Sequence, residues 1–266
     1  MVNTCKDCKK ETMNVFQECK LFQIGNNSYI YNICNKNGIK KKFFKYNREL
    51  SIQPLLNKAN KPYFVKAIDI DKDSIIYQYI KGITFSKYFE YNYHVLEEIK
   101  FKLFKKLFLI LVDLEKTGYN HLDISPNNIL IEDNTNDIYI IDYENLTNNP
   151  KYYNEYLGSY GYVPPEKILN DKFIFNKFDS YSFGMLIAES IVINYHMKIL
   201  NFKKKCNCTN NCNDLQSCID RKINLILQHI KCVTIKNFYK IILTNTIVLD
   251  HTKRKSFTEL EYIIKK

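Results

Sequence analysis

The chain of 266 residues is long enough for one large domain or a single fold of two lobes. Apolar residues at 45% and charged residues at 25% exclude a disordered or fibrous chain, and seven glycines and six prolines leave no room for a flexible linker. A net charge of +11 permits acidic partners, but only Arg48, Arg221 and Arg254 are arginines and no segment interleaves basic with aromatic residues, so nucleic acid is not an expected partner.

Met1–Lys20 lacks the apolar core of a signal peptide, and runs such as Leu107–Val112 fall far short of the roughly 18 residues of a membrane span. The expected setting is therefore cytoplasmic, or another reducing intracellular compartment, with the nine cysteines as thiols or metal ligands rather than disulfides. The crowding of Lys, Asn, Ile and Tyr is the signature of AT-rich coding, which with the compact size suggests a parasite or large-virus origin.

Ser28–Cys34 and Ile39–Tyr46 read as strands around Asn37-Gly38, a strong hairpin signal because both residues tolerate positive φ. Arg48–Lys58 is a short helix, interrupted or begun late by Pro54. Phe64–Ile70 and Asp73–Ile80 form a second strand pair, ending at Lys81-Gly82. Leu96, Ile99, Leu103, Leu107, Ile110, Leu111 and Leu114 then recur at helical steps, and Gly118 follows as a cap. Short strands follow at Ile129–Ile131 and Ile138–Ile141, then helices at Asp179–Val192, Ile223–Ile230 and Phe238–Leu249. The order is a β-rich small lobe followed by a helical large lobe.

The chemistry-bearing stretch is His121-Leu122-Asp123-Ile124-Ser125-Pro126-Asn127-Asn128, and the strand Ile138–Ile141 ends in Asp142. One carboxylate can accept a hydroxyl proton while an amide oxygen and a second carboxylate hold magnesium, whose preference for few protein oxygens suits this sparse set. Asp and Asn also favour turns and caps, but the flanking strands and the apolar run before Asp142 weigh against that plainer role.

This arrangement resembles the eukaryotic-type protein kinases. The His-x-Asp-x-x-x-x-Asn pattern matches the family's catalytic loop, although sugar, choline and aminoglycoside kinases share it. Gly158–Glu166, ending Pro-Pro-Glu, resembles the end of the activation segment. Asp179-Ser180-Tyr181-Ser182-Phe183-Gly184 is similar to the buried helix that anchors the catalytic loop, and Asp250–Phe257 resembles the C-terminal element whose arginine, here Arg254, pairs with Glu166. The resemblance covers Leu21–Ile264. It implies an α+β, two-lobed kinase-like fold: an N-terminal Cys-containing extension over 1–20 and a kinase domain over 21–266. Within that domain it implies an N-lobe of about 21–80, a C-lobe of about 81–266 and a Cys-rich insert over 201–218.

By the same resemblance, Asp123 is the base, and Asn128 and Asp142 bind Mg²⁺. Gly25 and Ser28 belong to a nucleotide loop, and Gln78 and Ile80 to the hinge that takes adenine through backbone groups. The ATP lysine falls on Lys45, with Lys42 competing, and Glu49 orients it at an abnormally short spacing. The glycine loop is eroded, with Asn27 and Ile30 where further glycines would stand. Leu122 replaces an arginine that reads an activating phosphate, Ser125 a lysine directed at the transferred phosphate, and Glu144 the glycine after the aromatic residue. The expected activity is ATP-dependent transfer to Ser or Thr hydroxyls of protein substrates. The alternatives are a small-molecule phosphotransferase, which Glu144 resembles, and a catalytically weak pseudokinase scaffold. Cys206, Cys208, Cys212 and Cys218 offer a thiolate set for Zn²⁺ or stand as reduced thiols, C-x-C-x₃-C-x₅-C not being a common zinc spacing.

Overall fold

The computed structural model describes residues 18–24, 28–33, 38–44, 47–91, 96–150, 158–168, 175–194 and 212–266. They fall into two compact units: one runs to Gly82 and takes in Tyr139–Glu144, the other comprises Ile83–Ile138 and Asn145–Lys266.

The first unit is built on an antiparallel five-stranded sheet in the order β1-β2-β3-β5-β4. Its strands are β1 (Glu18–Ile24), β2 (Ser28–Ile33), β3 (Gly38–Phe43), β4 (Ala67–Ile70) and β5 (Ser74–Gln78). β3 is central, with Lys41 opposite Ile30 of β2 on one side and Ile75 of β5 on the other. Three differences from the sequence reading matter. β1 forms a strand of its own ahead of the expected pair. β4 begins at Ala67 rather than Phe64, which instead makes a parallel bridge to Ile140. Finally, helix α1 (Glu49–Ala59) runs unbroken through Pro54. At that sixth position the missing N–H removes a single helical bond. Gln53 and Asn57 tie the same helix sideways: Gln53 Nε2 donates to the Val65 carbonyl, and Asn57 exchanges bonds with the Ala67 N–H and C=O.

The chain leaves the first unit within β6 (Gly82–Thr84) and enters α2 (Phe85–Tyr91), a short helix that the sequence reading passed over. The long helix α3 (Glu97–Lys116) has the expected apolar face, burying Leu103, Phe104, Leu107, Phe108, Leu111 and Leu114. β7 (Ile129–Glu132) leads through a turn, closed by the Asn136 N–H on the Glu132 carbonyl, into β8 (Ile138–Ile140).

Helices α4 (Pro165–Ile168), α5 (Phe178–Asn194), α6 (Cys212–Gln228), α7 (Val233–Thr246) and α8 (Phe257–Lys265) complete the second unit. α5 is apolar on most sides, as a core helix must be. Its Phe183 sits among Phe104, Phe108 and Phe257 at ring separations of 5.8–6.3 Å. Gly184 lets α7 approach closely, since a Cβ there would lie 2.1 Å from Thr246 Oγ1. α6 starts well before the expected Ile223. α8 begins at the last residue of the Asp250–Phe257 motif, runs beyond any helix the sequence predicts, and carries a full capping box from Ser256 and Glu259.

Candidate active site

In the first unit, strand alternation sends Lys41 to the face it shares with Ile39 and buried Phe43, and sends Lys40 and Lys42 to the other. Lys41 Nζ lies 2.6 Å from Glu49 Oε2 and 3.0 Å from Asp142 Oδ1. Glu49, at the first position of α1, is 1% exposed, and its backbone N–H donates to Asn47 Oδ1 at 2.8 Å. Burial alone would lower the Lys41 ammonium, but the carboxylates of Glu49 and Asp142 outweigh it and hold the group above the ordinary lysine range. Burial pushes the Glu49 carboxyl up, against the pull of Lys41. At 2.6 Å the pair is a charge-assisted hydrogen bond between ionised partners.

Asp142 adopts φ +67°, a left-handed conformation uncommon outside glycine, and its side chain is 40% exposed. The next residue explains how this conformation is held. Tyr143 is buried edge-on against Phe64 at 5.5 Å, its hydroxyl donates to the Ile140 carbonyl, and the same oxygen accepts the Val65 N–H at 2.9 Å. Tyrosine therefore fills the packing site expected of an aromatic residue and adds two hydrogen bonds to it.

The second unit holds the loop His121–Asn128. The Asp179 carboxylate accepts the backbone N–H of His121 at 2.6 Å and of Leu122 at 2.8 Å. That clamp sustains Leu122 at φ +62°, a strained value for leucine. Burial raises the Asp179 carboxyl to about 7 in spite of these two donors. Asp123 has both oxygens engaged: Oδ1 accepts the Ser159 N–H at 2.7 Å, and Oδ2 accepts Asn128 Nδ2 at 2.9 Å. Asn128 Nδ2 also donates to the Asp123 carbonyl, which leaves its Oδ1 as the atom able to face a cation. Gly158 at φ +70° makes the approach possible, since a Cβ there would meet the Leu122 carbonyl at 2.9 Å. Farther off, Arg254 forks onto Glu166 at 2.5 and 2.9 Å, donates to the Val248 carbonyl and stacks on Tyr181.

Lys41 is thus the lysine that reaches Glu49, eight residues ahead of it. The sequence reading passed over it. Lys42 is exposed, and Lys45 and Gly25 lie outside the described residues. Ser28 is buried at the start of β2. Gln78 and Ile80 line a groove of about 320 Å³ with Phe64, Val65, Lys66 and Tyr139; Lys41, Glu49 and Asp142 are not among its lining residues. Ser125 is buried, and its Oγ has no hydrogen-bond partner among the described residues. Cys206 and Cys208 lie outside the described residues, as does the side chain of Cys212; Cys218 is buried, with Arg221 Nη2 donating to its sulfur at 3.3 Å. Among the described residues no three His, Cys, Asp or Glu side chains form a metal-holding group.

A family model described as "Protein kinase domain" matches residues 5–262. The chain is similar to cyclin-dependent kinase F-4 of Oryza sativa subsp. japonica, 24% identical over 169 residues that cover 58% of this chain and 35% of that protein. It is similar also to a probable serine/threonine-protein kinase of Dictyostelium discoideum, 27% identical over 194 residues that cover 60% of this chain and 28% of that protein. The chain spans about a third of the length of these curated relatives. With the family match extending over nearly its whole length, the chain belongs to the protein kinase domain family.

Proposed function

We propose that the protein transfers the γ-phosphate of ATP to Ser or Thr hydroxyls of protein substrates. The observation that carries this reading is the assembled ion pair of Lys41 and Glu49 with Asp142 beside it. A scaffold that had given up nucleotide chemistry would have no use for a partly buried lysine held between two carboxylates, since such pairs seldom add net stability. The relatives' names, cyclin-dependent kinase and serine/threonine-protein kinase, support the choice of protein acceptor.

The donor set fits the nucleotide and its metal. Asp142 and the Asn128 amide are hard oxygen donors of the kind Mg²⁺ takes alongside phosphate and water. When bound, Mg²⁺ neutralises charge on the β- and γ-phosphates. Lys41, fixed by Glu49, presents an ammonium to the phosphates. Asp123 has one donor on each oxygen, and a carboxylate oxygen has two acceptor sites, so Asp123 can still accept the proton of an incoming hydroxyl. Ser125 supplies no cation where the family's lysine meets the transferred phosphate, so transfer is slowed.

The test is transfer of radiolabelled γ-phosphate to generic protein acceptors and, in parallel, to small alcohols and aminoglycosides. Labelled Ser or Thr in protein, lost in Asp123→Asn while Mg-nucleotide still binds, is the expected result. Label on small alcohols alone would favour the small-molecule alternative, for which Glu144 is the supporting observation. Binding without any transfer would favour the scaffold.

A further inference from the structure

We infer that Tyr77, on β5, is a positioning residue for the phosphate-binding lysine: its hydroxyl fixes the free oxygen of Glu49 and so keeps Lys41 shared between Glu49 and Asp142. The inference rests on the phosphoryl-transfer reading of Lys41, Glu49 and Asp142 and adds to it a residue that reaches no phosphate itself.

Glu49 has two oxygens and one lysine. Oε2 takes Lys41 at 2.6 Å, and Oε1 takes the Tyr77 hydroxyl at 2.5 Å. In a site where Glu49 is 1% exposed, water cannot replace either donor. A buried acceptor left without one is costly, which makes the second bond a determinant of where the carboxylate sits. Tyr77 is itself held between strands, opposite Ile39 of β3 and Ala67 of β4, with its ring buried. Burial also pushes its hydroxyl well above the ordinary tyrosine range, so it remains a donor.

The contact belongs to a polar stripe along α1. Glu49, Gln53 and Asn57 recur at four-residue steps and therefore share a face. Tyr77 takes the first and lies 3.4 Å from Gln53 Oε1, while Gln53 and Asn57 bind the Val65 and Ala67 backbone. Lys41 has a second carboxylate within reach, Asp142 Oδ1 at 3.0 Å. If Glu49 swings away, the ammonium is left with Asp142 as its one carboxylate partner and loses the position that the two carboxylates together define. A phenylalanine at position 77 would fill the same space and leave Glu49 free to swing. Tyr77 thus favours the arrangement in which Lys41 is shared between Glu49 and Asp142 rather than held by Asp142 alone.

The experiment is a double-mutant cycle on the full chain. Mg-ADP affinity is measured by calorimetry for the unaltered protein, Tyr77→Phe, Glu49→Gln and the double variant, with circular dichroism as the check on folding. Tyr77→Phe is expected to weaken Mg-ADP about tenfold, as loss of a hydrogen bond to a charged group would. It should raise KM for ATP while kcat at saturating nucleotide changes far less. In the Glu49→Gln background the same substitution should add less than about twofold, because the two residues act through one contact. Equal losses in both backgrounds, or no loss in the unaltered one, overturn the inference and leave the kinase reading standing. Failure of the unaltered chain to bind Mg-ADP overturns both. If Tyr77→Phe does not fold, Tyr77→Met, which fills the space without a hydroxyl, replaces it in the cycle with the same expectations.

Discussion

The assignment of Lys41 is the sharpest point at which the structure can be tested, because a neighbour one residue away serves as its control. Replacing Lys41 by Met removes the ammonium 2.6 Å from Glu49 and leaves a carboxylate that is 1% exposed with Tyr77 as its remaining side-chain donor. Breaking a buried pair from one side costs about 3–5 kcal/mol, and the low end applies here because burial already favours the protonated acid. Lys42 is exposed and makes no ion pair among the described residues, so Lys42→Met should change stability by less than about 0.5 kcal/mol. Urea unfolding followed by the fluorescence of the 21 tyrosines, undisturbed by tryptophan, reads the difference. Mg-nucleotide binding should be lost in Lys41→Met and kept in Lys42→Met. The double variant Lys41→Met/Glu49→Leu separates the two effects: removing both charges should recover most of the stability and none of the nucleotide binding. Equal loss of nucleotide binding in Lys42→Met, or unchanged urea stability in Lys41→Met, would refute the reasoning.

Three further outcomes are expected. Gly158→Ala places a Cβ 2.9 Å from the Leu122 carbonyl at φ +70°; it should cost about 1–2 kcal/mol in urea unfolding and depress phosphoryl transfer by more than that loss explains, because the displaced loop carries Asp123. Burial raises the Asp179 carboxyl from 3.8 to about 7, so its stabilising contribution is full below pH 4 and is lost as pH rises through 7; the urea midpoint should show that decline, and Asp179→Asn should flatten it. Leu122 packs with Val163 and Phe178, and Phe175 lies against them, an apolar cluster with no use for a phosphate. Phosphatase treatment should therefore leave transfer unchanged within about twofold, and abolition of activity would contradict the cluster's role.

Much of this was legible from period and punctuation. The three- and four-residue steps from Leu96 to Leu114 give α3, and the alternating, turn-bounded runs give β2, β3 and β5. Other parts were legible but missed. Ser256-Phe257-Thr258-Glu259 is a capping-box sequence that announces α8. Alternation in β3 picks Lys41 out of three consecutive lysines, because it alone shares a face with Ile39 and Phe43. The role of Tyr77 was not legible, since its bond to Glu49 depends on α1 and β5 meeting across 28 residues of chain. Nor was the continuity of α1, where tertiary hydrogen bonds from Gln53 and Asn57 outweigh the local rule that proline breaks a helix.

The departures at Leu122 and Ser125 have different physical consequences. At Leu122 an apolar contact takes over from a charged one, and the loop stays held by Asp179 and by the Ser159 N–H on Asp123, so geometry is preserved without a phosphate. Ser125 itself supplies no cation: the hydroxyl is buried and has no partner among the described residues. A cation that meets charge developing in the transition state lowers the barrier without tightening ground-state binding. Its absence therefore falls on kcat, whereas nucleotide affinity follows Lys41, Glu49 and the residues that hold them. The protein should bind Mg-nucleotide with ordinary affinity and turn over slowly. Weak nucleotide binding with ordinary turnover would invert that order and move the deficit from Ser125 to the first unit.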